Sequence, residues 1–380
     1  MARAMAPSDV TSAKDRLAKP LRSWRRLRAI PLAFGGLAMA FGLWTGLARL
    51  GISLPAGATS SLAAFHGAIM ISGFLGTVIS LERAVALGCW WAYGAPVLSS
   101  AGALLLLPGM TPAAALAFLL AGAIMLVASA NLVVRQPALF TVALAIGAGC
   151  WWVGTLQWLI GYSMPAVVGW WLNFLILTIA AERLELSRMA KPVPASRITF
   201  ALVVLLLLIG SAREELAAGW APFTAAGMLG CSAWLLRHDL ARRTVHLAGQ
   251  PRFAAVSILA GHVWLAAAGA LLAMVPPGAM VFSYDAAVHA VALGFVLSMV
   301  FGHAQIILPV LTGARVRYSS FAYVPLALLH ASVVLRVGGD LLEWDDLRAV
   351  SAITTILALA LYAGSLIFMS WKATCQTKTT

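Results

Sequence analysis

The stretch YDAAVHAVALGFVLSMVFGHAQIILPVLT, residues 284–312, decides the class of this protein. It holds no lysine, arginine or glutamate, and its one aspartate, Asp285, stands at the very start. A helix needs roughly 20 apolar residues to cross the hydrocarbon of a bilayer, and this run exceeds that length. Two histidines, His289 and His303, interrupt it. At about 100° per residue, their separation of 14 residues (303 − 289) returns to nearly the same helix face, roughly 21 Å farther along.

Comparable runs recur along the whole chain. Hydrophobic residues make up 62% of the 380 and charged residues only 10%, with a mean hydropathy of +0.92, so the solvent for most of the surface is lipid. The length rule predicts an all-α polytopic membrane protein with about 12 transmembrane helices. Their expected bounds are 29–51, 60–87, 91–107, 112–134, 138–161, 165–183, 198–213, 220–236, 253–275, 284–312, 320–338 and 347–371. No separate soluble domain is expected: a single transmembrane domain, 29–371, lies between an N-terminal tail, 1–28, and a C-terminal tail, 372–380. The first tail is polar and basic, without the short apolar core and small-residue site of a cleaved signal peptide, and reads as a cytoplasmic tail.

Orientation follows from the distribution of the net charge of +13, because lysine and arginine are retained on the cytoplasmic side. Arg22, Arg25, Arg26 and Arg28 precede the first span. The same side receives Arg135, the loops 183–197 and 237–252, Arg315, Arg317, Lys372 and Lys378. The opposite loops are nearly chargeless or acidic: 51–59, 108–112, 161–164, Glu214 with Glu215, Asp285, and the acids between Asp340 and Asp346. Both termini are therefore expected in the cytoplasm of a cell with a bacterial-type inner (plasma) membrane. The basic residues are spread over several loops without interleaved aromatics, which excludes a nucleic-acid partner. The cysteines, Cys89, Cys150, Cys231 and Cys375, form no CxxC or CxxCH, so neither covalent haem attachment nor a zinc knuckle is expected, and no disulfide.

An internal echo links two spans. Gly76-Thr77-Val78-Ile79-Ser80-Leu81-Glu82-Arg83-Ala84 closes the second, and Leu177-Thr178-Ile179-Ala180-Ala181-Glu182-Arg183-Leu184 closes the sixth. Continued at that period, the chain divides into three four-helix repeats, with the second, sixth and tenth spans in equivalent places. The two Glu-Arg dipeptides themselves read as charged helix ends at the interface.

Five of the seven histidines fall inside these spans. Ionisable side chains are costly in hydrocarbon and mark functional sites, and histidine is a common ligand of haem iron and copper. They hold a cofactor, relay protons or tie helices together. His66 and His289 are level, each roughly 8 to 9 Å below the outer edge by helical rise. Small neighbours, Gly67, Ala68, Ala286, Ala287 and Ala290, leave room beside them for a flat macrocycle. His262 and His303 are level near the cytoplasmic side and are expected as a second, inner pair. His330 falls in the outer half of the eleventh span, placed as a distal or copper ligand. Met70, one turn from His66, offers a thioether to iron or copper or fills the core. The pairs Trp90-Trp91, Trp151-Trp152 and Trp170-Trp171 read as interfacial anchors or bundle core.

Phe65-His66-Gly67-Ala68-Ile69-Met70 resembles the haem-ligating second helix of haem-copper oxidase subunit I, where histidine is followed by glycine and, a few residues on, methionine. Together with Tyr284-Asp285-Ala286-Ala287-Val288-His289-Ala290-Val291-Ala292-Leu293-Gly294, it makes the chain resemble the NnrS family, a distant relative of those oxidases associated with haem, copper and the response to nitric oxide. The resemblance implies one or two haem b groups, held in the first place by His66 and His289, and a copper ion. It also implies a role in nitric oxide binding, detoxification or nitrosative stress, with a redox partner. It departs from the oxidases where they build their dinuclear centre. The sixth span carries Trp170, Trp171 and Asn173 in place of a histidine ligand, the seventh has no histidine, and the tenth lacks His-x-His. Oxygen reduction is not expected, and whether the chain is an enzyme stays open. Two other readings stand beside this one: a transmembrane electron-transfer cytochrome with a second haem near His303, and a proton-coupled secondary transporter in which the histidines serve the coupling.

Overall fold

A computed structural model describes residues 7–52, 60–187, 194–212 and 221–376. The loop at 53–59, Glu214 with Glu215, and Lys378 lie outside the described residues, as do the side chains of Arg22, Arg25, Arg26, Lys372 and Cys375. Among the described residues every regular element is helical. Twelve long helices follow in chain order: α1 (Pro7–Arg49), α2 (His66–Leu87), α3 (Gly94–Leu106), α4 (Thr111–Arg135), α5 (Leu139–Leu159) and α6 (Met164–Ser187), then α7 (Pro194–Ser211), α8 (Ala221–His238), α9 (Gln250–Met274), α10 (Ser283–Thr312), α11 (Tyr323–Leu341) and α12 (Asp345–Gln376).

Among the described residues, nine helices are long and apolar enough to cross a membrane: α1 from Arg28 onward, α2, α4, α5, α6, α9, α10, α11 and α12. The other three expected spans, 91–107, 198–213 and 220–236, are also helical, but α3, α7 and α8 are shorter or less apolar than a full crossing requires. Within the expected tail 1–28, α1 begins at Pro7 and runs unbroken into the first span, whose apolar part starts at Arg28.

Helix ends follow local chemistry. Pro112 and Pro251 stand in the first turns of α4 and α9, where a missing N–H costs nothing. Gly88 and Gly313, at φ 66° and 76°, close α2 and α10 in the left-handed conformation that glycine adopts without strain.

Successive helices pack as antiparallel neighbours, and α6 lies at the centre. Its apolar window is 83% buried, against 28% for α1 and α12, whose outer faces suit lipid. Fully buried Trp151 and Trp171 are core residues: the Trp151 indole donates to Ser72 Oγ at 3.0 Å and that of Trp171 to Thr155 Oγ1 at 3.2 Å. Trp90, by contrast, is 77% exposed. The helices α2, α6 and α10, set in equivalent places by the sequence echo, meet through side chains. The Arg83 guanidinium lies 3.8 Å from Glu182 Oε1, and that of Arg183 bonds His303 Nε2. Both arginines are almost fully buried, so the Glu-Arg dipeptides are interior contacts and not ordinary solvated helix ends.

Candidate functional site

At the end of the bundle where α1 finishes, His66 opens α2 and His289 closes the first two turns of α10. The two imidazole rings lie 6.5 Å apart, centroid to centroid, and 18° from parallel. Each is oriented by the backbone: Nδ1–H of His66 donates to the Gly42 carbonyl at 2.7 Å and that of His289 to the Asp285 carbonyl at 2.7 Å. These bonds put the proton on Nδ1 and leave Nε2 as the nitrogen with a free lone pair.

Both histidines run directly into a π-helical turn, Ile69–Leu75 after His66 and Ala290–Val296 after His289. The Gly76 N–H reaches back to the Ile71 carbonyl and the Leu297 N–H to the Ala292 carbonyl, five residues each. Such wide turns cost hydrogen-bond geometry and concentrate at functional sites. Here one stands on each side of the paired imidazoles.

The first span supplies the floor. A Cβ on Gly46 would stand 2.9 Å from His66 Cε1, and one on Gly42 would overlap the sulfur of Met70. Two glycines four residues apart therefore let α1 lie against the imidazole. Met70 packs on α1 and fills the space beside Gly42, the glycine whose carbonyl holds His66.

Above the pair sits a charge cluster. Asp285 Oδ2 lies 3.3 Å from Arg336, 3.7 Å from Arg49 and 3.8 Å from Arg348. Asp340, fully buried, accepts from Arg336 Nε at 2.9 Å and from Arg348 Nε at 2.8 Å. Arg348 also reaches Asp345 at 2.8 Å and lies 3.5 Å above the Phe282 ring. Three arginines thus gather on the side expected to be acidic, each beside a carboxylate. The signals were available: Gly42-Leu43-Trp44-Thr45-Gly46 has the small-xxx-small spacing, and Arg336 is an arginine inside an expected span.

The remaining histidines have other partners. His262 and His303, level by helical rise and read from the sequence as a second, inner pair, are each bonded elsewhere. His262 Nε2–H donates to Asp239 Oδ2 at 3.1 Å, while His303 donates from Nδ1 to the Met299 carbonyl at 2.9 Å and accepts at Nε2 from Arg183. The Nδ1 lone pair of His330 accepts from the Trp264 indole at 3.0 Å. His303 and His330 thus have their lone pairs engaged, and His262 is locked to a carboxylate. His238 donates to the Trp234 carbonyl at 2.9 Å and meets Ser196 Oγ at 3.2 Å. Among the described residues no group of three or more His, Cys, Asp and Glu side chains converges as a metal cage.

Asp239 lies between α8 and α9, outside the spans. Burial pushes its carboxyl pKa up, but the His262 hydrogen bond and the Arg183 charge outweigh this and hold it below the ordinary value. A depressed carboxylate contributes stability that is fully present above its unfolded pKa of about 3.9 and is lost as pH falls through the folded value. Thermal melts are therefore expected to show a lowered midpoint for Asp239→Asn at pH 7. The gap to the parent should close below about pH 4; a gap that stays constant with pH would refute this assignment.

No curated protein and no solved structure matches the chain. The model of a domain of unknown function, DUF8744, matches residues 27–371. That span takes in the paired imidazoles, both π-helical turns and the arginine cluster, and the chain belongs to the DUF8744 family.

Proposed function

We propose that this chain is a membrane-embedded haem b protein in which His66 and His289 are the two axial ligands. The spacing of their rings is the observation that carries the reading. Two metal–imidazole bonds of about 2.0–2.1 Å, each extended by about 1.2 Å to a ring centroid, set a trans pair about 6.4 Å apart. The 6.5 Å found here fits that distance. The donor set fits as well: both Nδ1–H groups are spent on carbonyls, and no hydrogen bond engages either Nε2 among the described residues. Arg49, 43% exposed and only loosely paired at 3.7 Å, would be the counter-charge for a haem carboxylate, whereas Arg336 and Arg348 are already bonded to Asp340.

When bound, haem supplies one-electron redox chemistry whose potential the axial ligands and burial set. The chain's own part is to fix both imidazoles through the Gly42 and Asp285 carbonyls and to place the carboxylates under arginine. Were both His66 and His289 to hold the haem iron, electron transfer would be the favoured role, and nitric oxide binding would require one of the two histidines to be released. The engaged lone pairs of His303 and His330 favour a single haem over two; His262 keeps an unpartnered Nδ1, but that side chain is fully buried and held by Asp239. We read the chain as twelve crossings, three of them short, with the arginine-rich loops and both termini in the cytoplasm.

A reduced-minus-oxidised spectrum with pyridine haemochrome analysis of the purified protein tests the reading. A b-type spectrum at about one haem per chain is expected, and a folded, colourless protein overturns it. A second measurement probes the floor. Gly46→Ala drives a methyl into His66 at 2.9 Å and is expected to lower both haem occupancy and the thermal midpoint, at about 1–3 kcal/mol of overpacking. Gly36→Ala is the control, because its Cβ meets nothing within 4 Å. Equal behaviour of the two variants would rule out α1 as the support of His66.

A further inference from the structure

At the opposite end of the bundle the chain between α8 and α9 folds back as a short helical turn, Ala241–Thr244, and forms one wall of a shallow, open cavity of about 470 Å³ along α9. Leu236, Val245, Leu259 and Val263 form its apolar part, and Arg242 and His246 its polar part. Val263 is 59% exposed on a membrane-spanning helix, so the apolar part opens toward hydrocarbon. Arg242 and His246 are themselves exposed, so the polar part opens to solvent.

The charge there is one-sided. Residues 237–252 contain Arg237, Arg242, Arg243 and Arg252 but one acid, Asp239. That carboxylate is turned inward: Oδ2 meets His262 at 3.1 Å and Oδ1 accepts from the Ala241 N–H at 2.8 Å. The surface of the turn is thereby left cationic. Arg242 Nη1 donates to the Arg237 carbonyl at 3.1 Å, one of the unpaired carbonyls at the end of α8. This fixes the guanidinium at the cavity and leaves its other N–H donors for a ligand. The imidazole of His246 adds a ring N–H in either tautomer.

We propose that this cavity binds an anionic phospholipid of the leaflet at that end, with the phosphate on Arg242 and His246 and an acyl chain along Leu259 and Val263. The apolar wall selects a lipid over a free anion, and the unbalanced cations select an anionic headgroup over a zwitterionic one. Basic pockets between helices at the membrane surface recognise headgroups by this combination, and each basic residue contributes about fivefold in affinity. The Asp239–His262 contact acts as the clasp that holds the turn against α9. The proposal needs only the bilayer environment and is independent of the haem reading.

The test uses the full-length protein, delipidated in detergent. Dioleoyl phosphatidylglycerol, dioleoyl phosphatidylcholine and inorganic phosphate are titrated separately, with native mass spectrometry for retained lipid and tryptophan fluorescence for the melting midpoint. Phosphatidylglycerol is expected to be retained at least about fivefold better than phosphatidylcholine and to raise the midpoint. Arg242→Gln should lower that preference about fivefold, and Arg242→Gln with His246→Gln should abolish it. Val263→Trp should block retention of both lipids while leaving every charge in place. Equal retention of the two lipids, the same stabilisation by inorganic phosphate alone, or an unchanged preference in the double variant would each overturn the proposal. Should the double variant fail to fold, the three-ligand comparison on the parent protein decides by itself.

Discussion

His66→Ala and His289→Ala are each expected to remove most of the b-type absorbance, by at least about tenfold, since even outer-shell changes at metal sites cost about 10- to 100-fold in affinity. The two should fail alike, because a haem held between His66 and His289 would need both Nε2 nitrogens. His303→Ala is the internal comparison. Its imidazole lies on the same helix and has its Nε2 engaged by Arg183, so the absorbance should survive. Reduced-minus-oxidised spectra of the three variants, normalised to protein, check this in one experiment. Loss in His303→Ala with retention in His66→Ala would move the cofactor to the other half of the membrane and revive the reading with an inner haem. Retention in all three would leave the histidine pair a helix-to-helix contact. A substitution at His66 also frees the Gly42 carbonyl and empties the space beside Gly46, so His66→Gln, which keeps most of the volume and offers no comparable nitrogen, separates lost ligation from lost packing.

Much of the architecture was legible because membrane crossing depends on composition over some twenty residues, a property that a one-dimensional reading captures. The bounds of α4, α5 and α10 fall within about two residues of those expected from the runs alone, whereas α2 opens at His66, six residues inside its expected start. Depth was legible too: counting helical rise placed His66 and His289 at one level, and they meet. Rotation about the helix axis was not. His262 and His303 are also level by rise, but each finds a charged partner, Asp239 or Arg183, from a segment far away in sequence. A hydropathy reading has no term for which face a helix turns toward its neighbour when both faces are apolar. The same blindness concealed the carboxylate partners of Arg49, Arg336 and Arg348. Positive charge sorts loops by side, and three arginines on the acidic side break that rule unless each is neutralised by a carboxylate brought up by the fold.

That neutralisation carries the largest expected stability effect. Asp340 is fully shielded and accepts from Arg336 at 2.9 Å and Arg348 at 2.8 Å, so its carboxylate is the charge around which α11 and the start of α12 are held. Asp340→Ala leaves Arg336 in the interior with only Asp285, at 3.3 Å, and Arg348 with Asp285 at 3.8 Å and the exposed Asp345 at 2.8 Å. Breaking a buried ion pair by removing one partner costs about 3–5 kcal/mol, most of it the penalty of the charge left behind. Asp345→Ala removes a carboxylate that bonds the same Arg348 at 2.8 Å but is 81% exposed, and should cost at most about 1 kcal/mol. Melting midpoints in detergent should therefore fall steeply for the first variant and little for the second. Adding Arg336→Met to Asp340→Ala removes one stranded charge and should recover part of the loss. A double variant no more stable than Asp340→Ala would mean that the carboxylate acts by its shape and not by its charge. The cluster also reaches the imidazoles, because Asp285 holds the arginines through its side chain and His289 through its carbonyl. Asp340→Ala is accordingly expected to lower haem occupancy as well as stability, whereas Asp345→Ala should leave both near the parent's.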